Sequence, residues 1–310
     1  MITALCGGVG GSKLVLGLYR TLPPGDLTVI VNTADDEEVY GLHVSPDLDT
    51  VMYTLAGISN QEFGWGVEGD TFDAMEMLGR YGEETWFRIG DRDLATNLRR
   101  TTLLRRGEPL SRITFEMAVR LGVTARICPA TDEEVATRLL VDDEWVPFQD
   151  YFVRRGHTDR VDGLRYEGVS EATATQAAIE ALSEAEIIVL VNSNPALSIV
   201  PILSVPGVND SVAGSGAKRV AVSPIVGSEA VSGPAGNLMG LLGYPSSAAG
   251  VAETYLGLID GIVIDVQDEQ QSSRIEEMGL RVCVTNTIMR NLEDRDRLAV
   301  ETLEFARTLR

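Results

Sequence analysis

Gly7, Gly8, Gly10, Gly11, Ser12 and Lys13 make up most of the run GGVGGSK, directly behind the apolar segment ITALC. Glycines let a backbone approach a phosphate closely, and the free N–H groups at a helix start attract its charge. The spacing fits neither a Walker A loop nor a clean G-x-G-x-x-G. We read the run as a nucleotide-phosphate cradle; the alternative is a tight strand-to-helix turn whose glycines only permit close packing.

Further polar runs follow. Asn32 and Thr33 close the apolar segment LTVIV and offer neutral hydrogen bonds beside the phosphate loop, while Asp35 and Asp36 are either metal ligands or a solvated turn. In SPDLDT, Asp47 and Asp49 stand behind Pro46. A helix opened by that proline carries both acids in its first turn, where the dipole favours the ionised form. Such a carboxylate suits magnesium binding or acceptance of a proton from an alcohol, though S-P-D is also a common helix cap. Arg88 opens the knot RIGDRD beside Trp86 and Phe87. Its planar fork suits phosphate or carboxylate and can stack on an aromatic face; a surface ion-pair network would use the same residues. Asn192, Ser193, Asn194 and Pro195, with Ser223-Pro224 and Ser232 to Gly236, offer rigid polar walls for a base or ribose. Arg99, Arg100, Arg105 and Arg106 read as a solvated helical face. His43 and His157 lie in no nucleophile motif and read as structural or surface residues.

These residues sit at the ends of short apolar runs, which predicts the elements that position them. ITALC, the glycine run, the helical pattern LVLGLYRTL and LTVIV compose a βαβ unit. Continuous apolar strands imply burial on both faces, as in a parallel sheet. The pattern returns in EIIVLVNSNP, KRVAVSPIVG, GIVIDV and LRVCVTN, separated by helical stretches and closed by the helix EDRDRLAVETLEFARTLR. The predicted fold is α/β, a three-layer Rossmann-like parallel sheet with a mostly helical insertion or second lobe. Residues 1–60 and 166–310 would form the nucleotide-binding core and 61–165 the insertion. Ligands of such sheets bind beyond the carboxyl ends of the strands.

Composition narrows the class of partner. The 310 residues include 46 acidic and 26 basic side chains, a net charge of -20, which opposes a phosphate-backbone footprint and so excludes nucleic acid as an expected partner. Cys6, Cys128 and Cys283 are isolated in apolar runs, as reduced core thiols of a cytosolic protein would be. No apolar stretch approaches the ~20 residues that span a bilayer, so neither a membrane nor export is expected and the location is cytoplasmic. So acidic a surface repels itself unless salt screens it. The source is therefore expected to be salt-loving, with an ordinary acidic enzyme as the alternative.

In their order, GGVGGSK, VNTADDEE, SPDLDTVMYTLAG, RIGDRDLAT, NSNPALSIVPILSVPG, AVSPIVG and VSGPAG resemble the 2-phospho-L-lactate transferase (CofD) family of coenzyme F-420 biosynthesis, over nearly the whole chain. The resemblance implies transfer of a 2-phospholactyl group, or its phosphoenolpyruvyl analogue, from lactyl-2-diphospho-5′-guanosine to the ribityl hydroxyl of the deazaflavin Fo, with release of GMP. By motif match Asp49 and Arg88 fall where the family binds Fo. Gly7 to Lys13, Asn32, Thr33 and Asn194 would line the guanosine diphosphate side. Magnesium is the implied cofactor, with Asp35, Asp36 and Asp47 as candidate ligands, and a homodimer is the implied assembly. Trp65, Trp86 and Phe87 are the available shelf for the deazaflavin ring. Two rival readings share the opening motif: an NAD-dependent oxidoreductase, and a non-catalytic nucleotide-sugar-binding regulator of a related family.

Overall fold

The runs ITALC and LTVIV become five-residue strands buried at every position, β1 (Ile2–Cys6) and β2 (Leu27–Val31). Five more apolar runs join them as β3 (Arg126–Pro129), β4 (Ile187–Leu190), β5 (Lys218–Val222), β6 (Gly261–Asp265) and β7 (Arg281–Thr285). In the computed structural model, which describes residues 1–227, 229–230 and 238–309, all seven lie in one sheet. Their order is β3-β2-β1-β4-β5-β6-β7 and each neighbouring pair is parallel. Side chains alternate between two cores: Ala4, Cys6, Val29 and Val189 face one layer, Leu5, Ile30, Ile188 and Leu190 the other. Each such aliphatic side chain contributes about 1.5–3 kcal/mol on leaving water. Two fully covered faces account for the absence of alternation in these strands.

One face is covered by α1 (Gly8–Thr21), α2 (Pro46–Leu55) and the C-terminal helix Leu292–Thr308, through Leu14, Leu18, Val51, Leu298 and Leu303. Helices Gln176–Ser183, Val208–Gly214, Ala248–Thr254 and Ser272–Glu277 cover the other. Helix α1 meets the C-terminal helix where Gly17 faces Arg295: a Cβ on Gly17 would run into the Arg295 carbonyl. That glycine sets how closely the two helices cross.

The expected three-layer α/β class holds, with two departures in detail. The glycine run is helix rather than loop from Gly8 onward, because the first amides of a helix need no intrahelical acceptor and Gly8 adopts the left-handed φ of +65° that glycine tolerates. The proposed insertion, 61–165, is not one unit. It contains β3, and Leu110, Ala118 and Ile127 lie in the same core as β1. The run ARICP was hidden because Pro129 argues against a central strand; β3 is an edge strand, where proline is tolerated. Before it in the chain come the helices α3 (Asp73–Arg80), α4 (Asp91–Leu104) and α5 (Leu110–Arg120). After it comes a three-stranded antiparallel sheet of Ala136–Val141, Glu144–Pro147 and Gly163–Glu167, so that part is not helical. Among the described residues no single helix is long and apolar enough to cross a membrane, and the three cysteines are free.

From β1 the chain steps to β2 and β3 on one side, then returns to β4 on the other. The crevice of such a sheet opens where the order reverses, beyond the carboxyl ends of β1 and β4. Gly7 follows the first of these strands and Ser193 and Asn194 follow the second.

Candidate active site

The ends of β1 and β4 are laced together. The Gly7 N–H donates to Ser193 Oγ at 3.1 Å, and that hydroxyl donates to the Gly7 carbonyl at 2.7 Å. A Cβ on Gly7 would lie 2.5 Å from Asp47 Oδ2 and 2.7 Å from Ser198 Cβ and Oγ, so only glycine fits. Pro46 does open α2, and Asp47 and Asp49 stand in its first turn. Asp47 reaches across the crevice: Oδ1 accepts the Gly8 N–H at 2.7 Å and Oδ2 accepts Asn32 Nδ2 at 3.0 Å. Asn32 Nδ2 also donates to the Leu197 carbonyl at 3.0 Å. Burial pushes the Asp47 carboxyl up to about 6 against the pull of those two hydrogen bonds.

Asp47 thus takes one of the amides at the head of α1. The next two, on Val9 and Gly10, have no intrahelical acceptor, and Gly7 has no side chain to cap them. They form the anion-attracting edge of the turn. Gly11 packs against Ser193, Val191 and Cys6. The Ser12 hydroxyl turns inward to the Val9 carbonyl at 2.9 Å. Asn194 accepts the Ala196 and Leu197 amides at 3.0 and 3.3 Å and caps the segment behind the crevice. Ser232 to Gly236 lie outside the described residues.

The turn after β2 holds Thr33 and Asp35, both buried, and Asp36. Asp36 Oδ2 accepts the Ser45 hydroxyl at 2.7 Å and meets His43 Nε2 at 3.0 Å. Asp35 Oδ1 and Asp36 Oδ1 are buried without a partner. Burial, and next the charge of Asp47, push the Asp35 carboxyl well above its usual range. Among the described residues no three His, Cys, Asp or Glu side chains converge on a point a cation could fill. The set Asp35, Asp36 and Asp47 is therefore not a preformed cage, and Asp47 has both oxygens engaged.

Asp49 is buried at 5 % exposure and its Oδ1 is held by Arg100 Nη2 in a short ion pair. Its Oδ2 has no partner among the described residues and is not sealed from solvent. Burial raises the carboxyl above its usual range, opposed by the Arg100 charge. Arg100 corrects the sequence reading: it is 2 % exposed, not part of a solvated face, and is further bound to Asn97 Oδ1 at 2.8 Å. In a dense cluster of arginines, nothing local distinguishes the one that turns inward.

One turn along, Tyr53 donates to Asp93 Oδ1 at 2.8 Å. Burial, then the Asp49 charge, push the Asp93 carboxyl up to about 7. Because the folded value lies above the unfolded value of 3.8, the stability it lends is complete below the unfolded value and lost as pH rises through about 7. Asp93→Asn, which keeps an acceptor for Tyr53, should gain on the wild-type protein by on the order of a few kcal/mol between pH 4.5 and 8. Denaturant melts at the two pH values check this, and a difference independent of pH contradicts it.

Arg88 is exposed just ahead of α4, its Cζ 4.1 Å from the centroid of the Phe72 ring, with no carboxylate partner among the described residues. The adjoining Ile89 is buried against Val39 and Val44 of the hairpin that presents His43. Phe63 and Trp65 stack at 5.7 Å, exposed, and a Cβ on the intervening Gly64 would fall 2.9 Å from Val9 Cγ1. Trp65 therefore borders the glycine turn, while Trp86 and Phe87, edge to face at 5.6 Å, border Arg88. A cavity of about 440 Å³ lies behind Tyr53, lined by Ile58, Val67, Arg92, Thr96 and Leu121, away from the glycine turn.

An all-parallel sheet with bare helix-start amides at its switch point has the build of a Rossmann-like nucleotide-binding protein. Residues 2–302 match the model of the CofD family, described as 2-phospho-L-lactate transferase CofD, and the chain belongs to that family. A 2-phospho-L-lactate transferase of Methanocaldococcus jannaschii is 41 % identical over 100 % of this chain and 99 % of the relative. A phosphoenolpyruvate transferase of Streptomyces coelicolor is 39 % identical over the same shares. The crystal structure of a UPF0052 family member from Bacillus halodurans shares the fold, with a TM-score of 0.66 at 16 % identity over 97 % of this chain and 98 % of that one.

Proposed function

We propose that the protein moves a 2-phospholactyl or phosphoenolpyruvyl group from its guanosine-diphosphate-linked donor to the ribityl hydroxyl of Fo, releasing GMP, in the biosynthesis of coenzyme F-420. The observation that carries this reading is that α2 places two acids side by side in function. Asp47 braces the glycine turn, and Asp49, two residues on, keeps one carboxylate oxygen open. The similarity to relatives named as transferases of each kind supports it, and with 41 % and 39 % identity it favours neither donor decisively.

The Val9 and Gly10 amides would hold the diphosphate by oriented N–H groups and the helix dipole. Arg100 fixes the Asp49 carboxylate, so Oδ2 can accept the hydrogen of the acceptor hydroxyl and aim its oxygen at the second phosphorus. As that O–P bond forms, the bond to the GMP oxygen breaks and the hydroxyl proton passes to the carboxylate. Arg88, uncompensated and exposed, would neutralise phosphate or bind the acceptor. Magnesium, where bound, supplies charge neutralisation for the diphosphate. Asp35 and Asp36 suit it, since each keeps a buried carboxylate oxygen without a partner and this ion takes one or two carboxylates plus substrate phosphates rather than a full protein cage. A cytoplasmic location, a salt-loving source and a homodimer belong to the same reading.

Incubation with Fo, magnesium and each guanylated donor in turn, followed by mass spectrometry, tests it. The product is expected with at least one donor. No product from either, with GDP binding intact, would favour the non-catalytic regulator; binding of NAD without GDP would favour the oxidoreductase.

A further inference from the structure

On the flank of α1, Lys13 and, from the C-terminal helix, Arg295 lie near enough for the guanidinium charge to act on the ammonium, and neither makes an ion pair among the described residues. Other buried or half-buried arginines are paired. Arg20, Arg100, Arg219, Arg274 and Arg297 each reach a carboxylate. Arg295 is 8 % exposed, its Nε–H is buried without an acceptor, and its Nη2 reaches only the neutral Gln61 Oε1, at 3.3 Å. The charge of Asp296, next along the helix, acts on Arg295, but that carboxylate is paired with Arg20 instead; a buried charge without a direct counter-ion is costly, and a bound anion would offset that cost.

The position relates the pair to the glycine turn. Val9, Lys13 and Gly17 recur every four residues along one face of α1, and side chains on a helix lean toward its N-terminus. Lys13 therefore leans toward the Val9 and Gly10 amides. Gly17 admits the Arg295 backbone against the same face. Above them runs the segment 60–66, whose Gln61 holds Arg295 and whose Gly64 rests on Val9. Burial, with the neighbouring guanidinium, lowers the proton affinity of Lys13, and burial lowers that of Arg295 against the opposing charge of Asp296. An anion would relieve both.

We infer that Lys13 and Arg295, 282 positions apart in the chain, form an oxyanion subsite for the end of the donor distal to its guanine, that is, its second phosphoryl group or the carboxylate beyond it. The inference rests on reading the glycine turn as the diphosphate cradle.

Calorimetric titration of the intact protein with GMP and GDP, and donor KM in the coupled reaction, test it in Arg295→Gln and Lys13→Gln. If the second phosphoryl group is the occupant, GDP affinity falls about tenfold or more, as loss of a charge-assisted contact predicts, while GMP affinity holds within about twofold. If the carboxylate is the occupant, GDP affinity holds and donor KM rises by a similar factor. Removing a buried cation that has no direct ion pair should leave the melting temperature of the ligand-free protein equal or higher. Unchanged GDP affinity and donor KM in both variants overturns the subsite. So does a lowered melting temperature in Arg295→Gln with GMP and GDP affinities reduced alike, which would make Arg295 a helix-packing residue. Failure of the wild-type protein to bind GDP overturns the cradle itself, a result distinguishable from either.

Discussion

Replacing Asp49 by asparagine should lower turnover by about 10²–10⁴, the range of a positioned proton acceptor, while GDP affinity stays within a few fold. The amide still reaches the acceptor hydroxyl but cannot take its proton. The substitution also leaves Arg100 buried without its counter-charge, and breaking one side of such a pair costs about 3–5 kcal/mol. A loss of activity through unfolding is separated by the double variant Asp49→Asn/Arg100→Met. That variant removes both charges, so it should recover stability and not turnover. Pre-steady-state product formation and denaturant melts on the single and double variants provide the check. Full turnover in a folded Asp49→Asn protein would exclude the role given to this carboxylate.

The second large effect lies at the turn itself. Gly7→Ala should abolish measurable GDP binding and destabilise the fold by about 1–3 kcal/mol, as overpacking does. The backbone of Gly7 is extended, with φ -154°, a conformation open to any residue. The damage is steric: the new methyl group meets Asp47 Oδ2 and Ser198, and displacing Asp47 releases the Gly8 amide and Asn32 together. Gly8→Ala is the informative contrast. Its φ of +65° costs an L-residue about 1–2 kcal/mol, yet its Cβ would meet only Asp47 Oδ1, at an ordinary 3.9 Å. Similar stability losses with unequal loss of GDP affinity are expected by fluorescence melting and calorimetry. Equal retention of GDP binding in both variants would remove the turn from the site.

Sheet and crevice are legible in the sequence because their signals are local. Unbroken apolar runs mark doubly buried strands, and glycines behind the first of them mark the turn; Pro46 marks the start of α2. What escaped was long-range. Ser193 was visible as a polar strand-end residue, but nothing in its neighbourhood announces that its hydroxyl serves both the N–H and the carbonyl of Gly7. Arg100 is one arginine among several, and its burial follows from how α4 lies against the strand Leu42–Val44, from where its side chain reaches Asp49 and that of Asp93 meets Tyr53. The pairing of Lys13 with Arg295 depends on a helix crossing set by Gly17. The edge strand β3 was masked by its terminal proline. Periodicity reports which face of an element is buried; it is silent on which charged residue another element will bury.

The central claim is that the amides of Val9 and Gly10 receive the diphosphate while Asp49 Oδ2 receives the acceptor hydroxyl. A crystal structure of the protein with GDP and Fo tests both at once. The account predicts phosphate oxygens within hydrogen-bond distance of those two amides and a ribityl oxygen within that distance of Asp49. A diphosphate seated away from the head of α1, or an Fo whose ribityl chain points away from Asp49, would contradict it.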